Sequence, residues 1–153
     1  MKSWSLLLLV AFTSSAFARL GETLQQCEQR YGKPAQSDAT SLTFQKSGFF
    51  LIVYFFEGKC DKITYRKVEQ NALGKGVEIS DNELSQLMQL NAGGRQWKKI
   101  NLISMDKVWQ TEDGEIFAKY ETIGGFLVIA IKDNINRANA AQKSKEDGAL
   151  KGF

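Results

Sequence analysis

Residues 49–56 read FFLIVYFF, a run of eight residues that are all apolar or aromatic. In a β-strand, successive side chains point to opposite faces, so the even-numbered residues would share one face of a sheet and the odd-numbered residues the other. A strand that is apolar on both faces is typical of the centre of a sheet, whereas a half-exposed strand alternates. The run therefore predicts a central strand over Phe49–Phe56.

Two further strands are predicted on either side of this run. Leu42–Lys46 precedes it and is separated from it by Ser47-Gly48, while Cys60–Val68 follows after Glu57-Gly58-Lys59. Both connections are short and contain Gly, which is typical of β-hairpin turns. In the third strand, apolar residues alternate with Lys, Thr and Arg, as expected for a half-exposed strand. The three strands are thus predicted to form an antiparallel meander.

Two helices are indicated by capping boxes, the arrangement that satisfies free N–H groups at a helix start. The first lies at Thr23-Leu24-Gln25-Gln26 and the second at Ser80-Asp81-Asn82-Glu83. Gly32 and Gly93-Gly94 predict where these helices end, because Gly readily adopts the left-handed conformation of a C-terminal cap. The first helix thus precedes the meander, and the second lies beyond it.

The second helix is also followed by strand-like runs, which the sequence places at Lys107–Thr111, Glu115–Glu121 and Phe126–Lys132. We therefore predict an α+β fold in which two successive units, each a helix followed by three strands, form antiparallel sheet with the helices on one face. The units cover residues 21–69 and 79–133 and represent either a duplication or one continuous sheet. Residues 134–153 are predicted to add a C-terminal helix, through about Lys145, and a tail.

The N-terminus has the three parts of a cleavable signal peptide over residues 1–18. Lys2 gives the positive start, Leu6–Phe12 forms a short apolar run, and Ala16-Phe17-Ala18 provides the small residues before a cleavage point. The apolar run is too short to cross a bilayer. A lipoprotein would need a Cys directly after the cleavage point, but the first is Cys27. We expect a secreted or periplasmic single domain over residues 19–133, without an integral membrane span.

Charge and cysteine content restrict the function further. The net charge of +3 is far from the concentrated basic excess of a nucleic-acid-binding protein, so no nucleic-acid partner is expected. Cys27 and Cys60 are the only cysteines. In an oxidising compartment such a pair predicts one structural disulfide, and the alternative is two buried free thiols.

The chain contains no histidine, which removes the commonest general base, the commonest zinc ligand and the usual Ser-His and Cys-His nucleophiles. The acidic neighbours Asp81 with Glu83 and Glu112 with Asp113 lie at a helix start and a turn, where acids are locally favoured. We therefore predict no catalytic residues, no metal site and no cofactor. A small hydrolase that uses carboxylates or a Ser-Lys pair remains as an alternative.

The first unit resembles the repeat shared by β-lactamase inhibitor proteins and small outer-membrane assembly lipoproteins. The resemblance covers about residues 21–66 and rests on Gly21-Glu22-Thr23, Tyr31-Gly32-Lys33-Pro34, Phe44, Val53, Phe56, Gly58-Lys59 and Ile63-Thr64-Tyr65. The chain departs from those lipoproteins in lacking their lipidated Cys. The resemblance implies a sheet that is backed by helices and whose open face can bind another protein, without catalysis.

Aromatic residues are the candidate binding residues, because two short helices can hardly cover both faces of such a sheet. We expect an exported protein-binding module with an unidentified protein partner. One alternative is a self-associating or structural envelope protein whose apolar face is buried in a homodimer. Another is an ordinary core role, in which the C-terminal helix, residues 71–79 or a second subunit covers that face and both tryptophans fill the core. The candidate partner-binding residues are Phe50, Tyr54, Phe56, Trp97 and Trp109.

Overall fold

The computed structural model describes residues 20–74 and 76–150, which contain three α-helices and eight β-strands. In chain order these are α1 (Leu24–Tyr31), β1 (Gln36–Ser37), β2 (Ser41–Lys46), β3 (Phe49–Phe56), β4 (Lys59–Lys67), α2 (Asp81–Asn91), β5 (Trp97–Ile100), β6 (Lys107–Thr111), β7 (Ile116–Glu121), β8 (Phe126–Ile131) and α3 (Lys132–Leu150). The predicted α+β class and the C-terminal helix are confirmed. The predicted signal peptide lies outside the described residues.

All eight strands belong to one antiparallel sheet with the order β1-β2-β3-β4-β8-β7-β6-β5. Each unit contributes a helix followed by a four-stranded meander, and the last strands of the two meanders, β4 and β8, pair at the centre. Thr64 lies opposite Val128 in this central pair. The two units therefore form one continuous sheet, and FFLIVYFF is an interior strand within it.

Two strands were not predicted from the sequence. They are β1 and β5, each of which forms one edge of the sheet and pairs with only one neighbour. Both are short, with two and four residues; β1 is polar, and two of the four residues of β5 are Lys. Edge strands of this kind carry a weak sequence signal, because only pairing with β2 or β6 gives them their conformation.

Tight turns flank β3. The first sets its register against β2, and the second sets its register against β4 up to a bulge at Tyr54 and Phe55. Ser47-Gly48 and Glu57-Gly58 have positive φ at both residues, with φ of 51° at Ser47 and 49° at Glu57. Two-residue hairpins need this conformation, since its twist matches the twist of the flanking strands. Gly48 and Gly58 adopt it without strain. The result is a fixed alternation in which every second residue of β3 lies on the same face.

We call the face that carries α1 and α2 the helix face and the opposite face the outer face. The core lies between the sheet and the helices, where Cys27 of α1 and Leu84 and Met88 of α2 meet the inward residues of six strands. The inward residues are Leu42, Phe44, Leu51, Val53, Cys60, Ile63, Tyr65, Ile116, Ala118, Tyr120, Leu127, Ile129 and, at the border, Trp109.

The helix α3 begins directly after β8 and is held at its first turns. Asp61, which is buried, accepts a hydrogen bond of 2.9 Å from Asn134 Nδ2 and forms an ion pair with Arg137. The Arg137 guanidinium also lies 3.7 Å from the centre of the Phe56 ring. Residues 138–149 are exposed along their whole length. Within the described part of the chain, none of the helices has the length and apolar character needed to cross a membrane.

Candidate functional site

The outer face of the sheet is a continuous surface made by side chains from both units. Its middle ladder runs from Ile52 through Thr64 and Val128 to Val108 and Ile100, with Lys119 of β7 between Val128 and Val108. A second ladder runs beside it and contains Tyr54, Lys62, Ala130, Phe117 and Gln110. Aliphatic and aromatic groups thus make up much of this face, with Lys62 and Lys119 among them.

Three of the predicted binding residues lie on this face. Phe50 and Tyr54 are half-buried, and Phe56 at the end of β3 keeps 44% of its surface exposed. Residues packed beneath a second layer would be closed to solvent, as Val53 and Ile129 are on the helix face. The aromatic side of β3 therefore stays accessible between neighbouring side chains.

Cationic groups lie among the side chains of the outer face. The Lys62 Nζ atom lies 3.7 Å above the centre of the Tyr54 ring, a cation–π contact. Arg66 Nη2 donates to the carbonyl oxygen of Gly74 at 2.9 Å. Lys119 forms ion pairs with Asp106 at 3.1 Å and Glu121 at 3.0 Å, and its hydrogen bonds to Glu121 and Asp106 raise its pKa above the ordinary value. Lys62 and Lys119 thus lie within the two ladders, beside apolar and aromatic groups.

The other two predicted residues, Trp97 and Trp109, lie on the opposite side of the sheet. Trp109 pairs with Ala118, which belongs to the core, and Trp97 Nε1 donates to the carbonyl oxygen of Met88 at 3.0 Å. Both rings are half-buried against α2 and border a cleft of about 460 Å³. The structure therefore does not bring the five candidate residues together, and the tryptophans support the packing of α2.

The cleft beside the tryptophans contains one ionisable pair. Lys107 Nζ lies 2.6 Å from Asp81 Oδ1. Their hydrogen bond lowers the pKa of Asp81 and raises that of Lys107, so both groups are held in their charged forms. General acid–base catalysis needs the opposite, a group whose pKa is moved towards neutral pH. This pair has the character of a structural ion pair.

Cys27 and Cys60 are free thiols in the structure, and both are buried. An antiparallel bridge between Thr23 and Lys59 holds the start of α1 beside the start of β4, so both thiols belong to the same core cluster. Burial raises the pKa of Cys27 to about 12, and burial together with the charge of Cys27 raises that of Cys60. Such thiols are poor nucleophiles at neutral pH. The disulfide stays a prediction.

The described residues contain no group of three or more His, Cys, Asp or Glu side chains that could hold a metal ion. Sequence reasoning found the aromatic side of β3 but missed Val108 and Phe117 on the outer face. The signal is weaker in these strands, because Lys107 and Gln110 interrupt β6 and Lys119 interrupts β7.

No family model and no curated protein sequence matches this chain. Among solved structures, a cysteine-rich secretory protein from Staphylococcus aureus is similar at 8% sequence identity with a TM-score of 0.42. The similarity covers 76% of this chain and 44% of the other, so the chain spans less than half the length of that protein. A similarity this weak supports no conclusion about function.

Proposed function

We propose that this protein is an exported, non-enzymatic binding module that holds another protein on the outer face of its sheet. The observation that supports this most directly is the accessible aromatic and aliphatic surface that includes Phe50, Tyr54 and Phe56. Contiguous apolar surface on a small domain usually marks a binding site. The predicted signal peptide would place the protein in the periplasm or outside the cell.

The composition of the outer face fits a protein partner. Tyr and Phe are enriched in protein interfaces, because they bury a large area with few rotatable bonds. Here the aromatic groups lie on β3, in the interior of the sheet, so their backbone is already fixed before a partner binds. A preformed surface loses less conformational entropy on binding than a mobile loop. The resemblance of residues 21–66 to β-lactamase inhibitor proteins agrees with this mode of binding.

The chemistry of the described side chains gives an enzyme little support. The two thiols are buried and protonated, and the ion pair beside the tryptophans is fixed in its charged state. A nucleophile or a general base needs a tuned pKa and access to substrate. We therefore place binding ahead of the hydrolase alternative.

Site-specific photo-crosslinking in the cells that export the protein would test the proposal. A benzophenone amino acid replaces Tyr54 or Phe117 on the outer face and, as a matched control, Gln89 on the exposed side of α2. We expect both outer-face positions to give adducts with the same second protein and Gln89 to give none. Adducts found equally at all three positions, or at none, would contradict the proposal.

A substitution that blocks the outer face provides a second test in the same crosslinking experiment. Val128→Lys places a charge at the centre of the outer face and should remove at least nine-tenths of the adduct formed through Phe117. Gln89→Lys on α2 should leave the yield unchanged. Adducts whose mass is twice that of the chain would identify self-association instead, and the homodimer alternative would then replace the proposal.

A further inference from the structure

Exposed aliphatic side chains are concentrated at one end of the sheet. Leu102, Ile103 and Met105 lie in the β5–β6 loop and Ile123 in the β7–β8 turn, and we call these four residues the aliphatic tip. They are 56%, 111%, 66% and 65% exposed, respectively. Leu73, which is 81% exposed, lies in the segment before α2 at the same end. Elsewhere in the described residues, only Leu24 and Phe56 are large apolar residues with comparable exposure.

The two loops of the aliphatic tip are joined to each other. Thr122 Oγ1 donates to the carbonyl oxygen of Met105 at 2.7 Å, and the ion pair between Lys119 and Asp106 connects the adjoining strand to the same loop. Inside the β5–β6 loop, the Asp106 N–H donates to Ser104 Oγ at 3.1 Å. The four side chains therefore belong to one connected structure at the end of the second unit.

The shape and composition of the tip favour a lipid surface over a protein pocket. Ile103 is fully exposed, so a protein partner would need a cavity to enclose it, whereas lipid chains accommodate side chains of any shape. It contains only Leu, Ile and Met, while the dominant residues of protein interfaces are Trp, Tyr and Arg. Leu and Ile are also among the residues that enter a bilayer most favourably.

We infer that the aliphatic tip docks the protein onto the surface of a lipid bilayer. Insertion is shallow, because loop N–H and C=O groups need water or partners and cannot enter the hydrocarbon core. The nearby charges are largely balanced within the protein, since Lys119 pairs with Asp106 and Glu121 and Lys107 with Asp81. Docking therefore depends on aliphatic burial more than on anionic headgroups. The inference is independent of the proposed function, because the tip lies at the end of the sheet and leaves its outer face free.

Vesicle binding by the full mature chain tests this inference. The chain is mixed with phosphatidylcholine vesicles, with or without added phosphatidylglycerol, and sedimented. We expect the chain to bind both kinds of vesicle, and the double variant Leu102→Ser with Ile103→Ser to lose at least tenfold in partitioning. Leu24→Ser, a change at an exposed apolar residue of α1, is the matched control and should bind as the parent does. Absence of sedimentation, or equal binding by the tip variant and the parent, would overturn the inference.

A fluorescent reporter gives a second measurement that does not depend on the stability of the tip variant. Ile103→Cys and Leu24→Cys each take an environment-sensitive thiol dye, which selects these sites because Cys27 and Cys60 are buried. Vesicles should shift the emission of the dye at residue 103 to the blue and leave that at residue 24 unchanged. A different pair of results would show that the lipid inference is wrong and that the tip contacts a protein. In that case the parent does not bind vesicles, and the tip variant no longer crosslinks to the protein partner.

Discussion

Tyr120 connects the segment between the two units to the centre of the sheet. Its hydroxyl oxygen accepts a hydrogen bond of 3.1 Å from the Ile79 N–H, and both residues are 0% exposed. Tyr120→Phe removes this acceptor and leaves a buried N–H group without a partner, which costs about 1–3 kcal/mol. We expect urea denaturation to show a loss of this size in the free energy of unfolding.

The same chemical change at Tyr54 is the control for Tyr120→Phe. Tyr54 lies half-exposed on the outer face, so water can replace any bond that its hydroxyl makes. Tyr54→Phe should change the free energy of unfolding by less than about 0.5 kcal/mol. Equal losses in the two variants would show that the Ile79–Tyr120 bond contributes nothing specific to stability.

The helix α2 depends on the capping box that the sequence predicted. The Glu83 N–H donates to Ser80 Oγ at 3.4 Å, and the Ser80 N–H donates to Glu83 Oε2 at 2.8 Å. Ser80→Ala should therefore destabilise the protein by about 1 kcal/mol, measured by thermal or urea unfolding. Ser85→Ala, the same change at an exposed position inside α2, should be neutral or slightly stabilising, because Ala is the better helix former. A loss at residue 85 as large as that at residue 80 would contradict the capping role.

Local patterns predicted the elements that carry their own signals. The bounds of β3 and β6 match the predicted strands, and both capping boxes form as expected. The edge strands β1 and β5 escaped prediction because tertiary pairing, and not residue preference, makes them strands. Tertiary pairing also decides on which face of the sheet the tryptophans lie. Trp109 lies on the helix face because it pairs with Ala118. Which faces the helices cover depends on contacts between distant segments and cannot be read from local sequence.

At the scale of the whole molecule, both units share one core. That core contains two thiols and a tyrosine hydroxyl that stay protonated when the protein is folded. Burial raises the pKa of Cys27 to about 12 and also raises the pKa values of Cys60 and Tyr65. The unfolded chain loses its thiol protons near the ordinary pKa, which is 9.0. A raised folded-state pKa gives stability that is complete below the unfolded pKa and is lost as the pH rises towards the folded pKa.

We therefore expect the reduced protein to lose stability as the pH rises from about 9 to 10.5, with a slope approaching about 1.4 kcal/mol per pH unit for each thiol. Urea denaturation in the presence of a thiol reductant measures this slope. Cys27→Ala with Cys60→Ala provides the control, which should remove the contribution of the thiols and leave that of Tyr65, whose ordinary pKa is 10.0. If the predicted disulfide forms after export, the oxidised protein has no thiols to titrate, and its slope should match that of the double variant. A mass that is lower by two hydrogen atoms would identify the same state independently. An equally steep slope in the reduced protein and the double variant would mean that groups other than these thiols govern alkaline unfolding.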